Sequence, residues 1–67
     1  MQRNPGKRID GPDVRPTVLV VEDDPSAGEI ATTMFGMLGY QARLAVDAQS
    51  ALKMLATTPP DLLMLDI

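Results

Sequence analysis

Val18-Leu19-Val20-Val21-Glu22-Asp23-Asp24-Pro25 holds an apolar run, an acidic crest and a helix start within eight residues. The run contains three β-branched valines and lies between Pro16 and the acids. A continuous apolar stretch of this length predicts a strand buried on both faces, as in a parallel sheet. Asp24-Pro25-Ser26 then reads as a helix start. Asp caps the first turn, Pro suits the first helical position, and Glu29 is placed to favour the positive helix end.

Downstream, Ala27, Ile30, Ala31, Met34, Met37 and Leu38 recur at three- and four-residue spacing, which predicts one apolar helix face. Gly39 follows as a left-handed stop. Ala42, Leu44 and Val46 alternate with Arg43 and Ala45, the pattern of a half-buried edge strand. Asp47 caps a second helix with the face Ala48, Ala51, Leu52, Leu55 and Ala56. Thr57-Thr58-Pro59-Pro60 ends it, because Pro cannot continue a helix. Leu62-Leu63-Met64-Leu65 predicts another fully buried strand, ending at Asp66.

The order strand, helix, strand, helix, strand predicts a parallel α/β sheet with right-handed crossovers. The two all-apolar strands belong at the centre and the alternating one outside, giving βαβαβ with strand order 2-1-3. That is the start of the flavodoxin-like doubly wound sheet, truncated here after the third strand. Ligands of such sheets sit beyond the carboxyl ends of the strands, between strands 1 and 3. Glu22, Asp23 and Asp66 fall there. A third strand apolar on both faces, with nothing after Ile67 to cover it, is an aggregation-prone edge. Residues 17–67 are therefore expected to be the N-terminal half of a larger domain.

Residues 1–16 differ in character. They carry four basic residues against two acids, five Pro or Gly, and few apolar side chains. Such a segment buries too little to offset its ordering entropy and reads as a flexible tail. The remaining 51 residues carry two basic side chains against seven acids. That balance, with two aromatics in the chain, argues against direct nucleic-acid contact. No apolar run reaches the ~20 residues of a membrane span, and no signal-peptide core is present, so a cytoplasmic location is expected. The chain lacks Cys and His altogether. Disulfides, zinc–thiolate sites and a phosphohistidine of its own are excluded.

Three carboxylates meeting at one strand crest repel one another unless a cation, a Lys or a proton joins them. A hard divalent cation such as Mg²⁺ suits an all-oxygen site, with one or two carboxylates, waters and a phosphate as ligands. Asp24 alone reads as a helix cap, and Asp66 alone as a turn former. Their joint placement carries the functional reading.

Together with Leu38-Gly39-Tyr40, Asp47-Ala48, Ala51-Leu52 and Pro60-Asp61-Leu62-Leu63-Met64-Leu65-Asp66-Ile67, the opening stretch resembles the first half of a two-component response-regulator receiver domain. The resemblance covers residues 17–67. It implies that Glu22 and Asp23 are the acidic pair binding Mg²⁺, with Asp66 completing the metal site. It further implies that Asp66 accepts a phosphoryl group from a sensor histidine kinase or phosphotransfer protein. The role implied is that of a phosphorelay signalling domain rather than an enzyme. An ionised Asp is a competent nucleophile for an acyl phosphate, and phosphoryl transfer needs in-line placement and cationic neutralisation.

The second half of that family's domain supplies a Ser or Thr, a Lys and an aromatic switch, and its metal site uses a backbone carbonyl beyond Ile67. The 67-residue chain alone is thus expected to have a crippled site. Asp47-Ala48 also departs from the frequent Asp-Gly. Rival readings are a nucleotide-binding Rossmann module, a Mg²⁺-dependent phosphohydrolase, a toprim-type metal domain and a non-catalytic interaction module. The first lacks its glycine-rich turn, since acids follow strand 1. The second expects Asp-x-Asp where Glu22-Asp23-Asp24 stands. An Asp directly after Ile67 would favour the third. A cooperative thermal transition of the isolated chain would favour the fourth.

Overall fold

A computed structural model describes residues 15–66. Most of the segment read as a tail, residues 1–14, and Ile67 lie outside the described residues. The elements are β1 (Thr17–Glu22), α1 (Pro25–Met37), β2 (Gln41–Ala45), α2 (Ala48–Thr57) and β3 (Leu62–Asp66). All three strands are parallel, in the order β2-β1-β3. This is the order of the first three strands of a flavodoxin-like sheet.

β1 forms the centre. Val18, Leu19, Val20 and Val21 are all buried. Alternation along the strand divides them between two faces. Leu19 and Val21 join Ala45 and Ala51 in one cluster, extended by Met54 and Leu55 of α2. On the opposite face α1 lies against β2 through Gly28. A Cβ at Gly28 would sit 2.6 Å from Leu44 Cδ1, so only a glycine allows this approach without displacing Leu44. The two helices therefore cover opposite faces, the doubly wound arrangement.

The helix boundaries follow the local signals. Asp24 caps α1, accepting from the Ser26 N–H at 3.1 Å, with Pro25 opening the helix. Asp47 caps α2, accepting from the Ser50 N–H at 2.7 Å. At the end of α1, Gly39 adopts φ +97°. The Gly39 N–H donates to Gly36 O and the Tyr40 N–H to Phe35 O, at 3.1 and 3.0 Å. That pair of bonds is a Schellman stop, and its usual apolar contact is supplied by Phe35 and Tyr40, whose rings meet edge to face at 5.4 Å. Glu29 lies beyond the first turn and does not serve the helix end.

Several expected faces are corrected. In α1 the sheet-facing residues are Gly28, with Ala27, Ala31 and Phe35 half-buried, while Ile30, Met34, Met37 and Leu38 are exposed. The close approach at Gly28 turns the row 28–31–35 to the sheet, and the larger side chains rotate outward. In α2, Leu52, Ala48 and Ala56 are exposed, and Met54 packs in their place. β2 stops at Ala45, which is buried against α2, and Val46 lies outside the strand and exposed. β3 is not fully buried: Leu62, Leu63 and Leu65 are exposed and Met64 half-buried. Among the described residues β3 pairs with β1 along one edge, and both helices pack on β1 and β2.

Candidate functional site

The parallel register sets the site. Val18 pairs with Leu62, and the ladder runs on to Glu22 opposite Asp66. Forty-four positions apart in sequence, these two carboxylates end neighbouring strands at the same level. Asp23 follows Glu22 directly, at the start of the turn into α1. The three predicted site residues thus gather at the carboxyl end of the sheet, at the β1/β3 switch point.

The register is pinned at the opposite end by Asp61, which the sequence reading did not single out as a site-forming residue. Its Oδ2 accepts from the Thr17 N–H at 2.8 Å and from Thr17 Oγ1 at 3.2 Å. The Asp61 N–H donates to Thr17 O and Oγ1 at 3.0 and 3.1 Å. This clamp fixes where β3 begins along β1, and so fixes that Asp66 arrives beside Glu22. A Pro-Asp pair before an apolar run, facing a Thr at the start of β1, is the signal that could have revealed it.

Glu22 is buried at 7% exposure, whereas Asp23 and Asp66 are open to solvent. Glu22 Oε2 accepts the Asp24 N–H at 3.0 Å. That bond is the largest single influence and favours the carboxylate. Burial and the side chains of Asp23 and Asp66 together outweigh it, so the Glu22 carboxyl titrates above its usual range. Asp24 is spoken for as the α1 cap, as its sequence context predicts.

The cations of the sheet lie elsewhere. Arg43 Nη2 donates to Thr58 O at 2.9 Å, and Lys53 sits on exposed α2 surface. Among the described residues no three His, Cys, Asp or Glu side chains form a ready metal cage. Glu22, Asp23 and Asp66 present only carboxylate oxygens at this end of the sheet.

No family model matches the chain. Over 52 residues, 78% of its length, the chain is 33% identical to the DNA-binding dual master transcriptional regulator RpaA of Synechocystis sp.. This stretch is receiver-like. The chain spans 22% of that relative's length. No helix among the described residues is long and apolar enough to cross a membrane.

Proposed function

We propose that residues 17–67 form the N-terminal half of a receiver module in two-component phosphorelay signalling, with Asp66 as the phosphoryl acceptor. The observation that supports it is the Glu22–Asp66 register pair, with Asp23 beside it at the open end of the sheet. Asp66 is exposed and so accessible to a donor protein. In the reaction, an Asp66 carboxylate oxygen attacks the phosphorus of a phosphohistidine on a sensor kinase or phosphotransfer protein. The P–N bond breaks, an O–P bond forms, and the imidazole leaves and takes up a proton.

Glu22, Asp23 and Asp66 are the residues that would hold Mg²⁺, with Asp23 and Asp66 best placed to meet it from solvent. Bound there, the ion supplies neutralisation of phosphoryl oxygen charge. The chain itself contributes the nucleophile and the oxygens that orient it. A cytoplasmic location and no DNA contact by residues 17–67 go with this reading.

The test is transfer from an autophosphorylated histidine kinase to a chimera. In it, residues 17–67 replace the matching segment of the Synechocystis regulator. Label should move to the chimera and be lost in Asp66→Asn. A folded chimera that takes no label from any of a panel of kinases that label the parent regulator contradicts the proposal.

A further inference from the structure

We draw no further inference here: the strongest candidate, the apolar groove that Ala31, Met34, Phe35 and Leu38 of α1 form with Met64 of β3, is an unpartnered face, and nothing in the structure shows what covers it.

Discussion

Glu22 and Asp66 face each other across the β1–β3 ladder, the final described pair of two parallel strands whose other end is clamped by Thr17 and Asp61. The clamp and the acidic pair are separated by the length of one short strand. A slip of one residue would send Asp66 to the opposite face of the sheet. The site therefore depends on a polar lock at the far end of the same ladder.

Asp61→Ala should destabilise the fold by about 1–2 kcal/mol, since it removes an acceptor that serves both the Thr17 amide and hydroxyl. Asp61→Asn retains an acceptor oxygen and should recover part of the loss. Urea unfolding followed by circular dichroism measures both. An Ala variant as stable as the parent would show that register is set by the apolar ladder alone.

Two glycines of α1 should respond in opposite directions to alanine. At Gly36 a Cβ meets open space, so Gly36→Ala should stabilise by about 0.5–1 kcal/mol through helix propensity. At Gly28 a Cβ would lie 2.6 and 2.8 Å from the two Leu44 methyls. Displacing that side chain costs about 1–3 kcal/mol, enough to outweigh the propensity gain. Thermal unfolding of the two variants side by side gives the sign of each.

The pH dependence has two arms of opposite sign. Asp47 titrates below its usual range because the Ser50 N–H and hydroxyl stabilise its carboxylate. Its contribution is present at neutral pH and is lost as pH falls through the acid range below pH about 4. Glu22 titrates above its usual range: the Asp24 N–H favours its charge, but burial, Asp23 and Asp66 disfavour it more. The folded state therefore holds the Glu22 proton more tightly, and stability is lost as pH rises from the ordinary carboxyl range through the raised value. Glu22→Gln should raise the melting temperature of the metal-free chain at neutral pH and flatten its slope across that window. A melting temperature with the same slope in both chains would contradict this assignment.

Much of the architecture was legible in the residues. The apolar run Val18–Val21 predicts a strand buried on both faces, and it is one. Asp24-Pro25 and Asp47 predict caps that both form, and Gly39 predicts the left-handed stop that forms a Schellman pair. Strand order 2-1-3 followed from which strands alternate and which do not. Which side of each helix faces the sheet was less legible. Periodicity marks Ile30, Met34 and Leu38 as an apolar row, but a glycine carries no hydrophobic signal, and the seat at Gly28 decides the rotation of α1. Leu62, Leu63 and Leu65 read as core because their sequence is that of a central strand, whereas burial depends on what lies beside it. The acidic crest was found by position; the Asp61 clamp was not, because its chemistry is structural and acts from the other end of the sheet.

The central claim is that Asp66 is a phosphoryl acceptor. The most direct measurement treats the chimera carrying residues 17–67 with acetyl phosphate and Mg²⁺, then reduces the product with borohydride and maps it by peptide mass spectrometry. The account predicts one modified residue, Asp66, with no modification after chelation of Mg²⁺ or in Asp66→Asn. Modification at Asp23 or Glu22, or an unmodified Asp66 in a folded, Mg²⁺-loaded chimera, would contradict it.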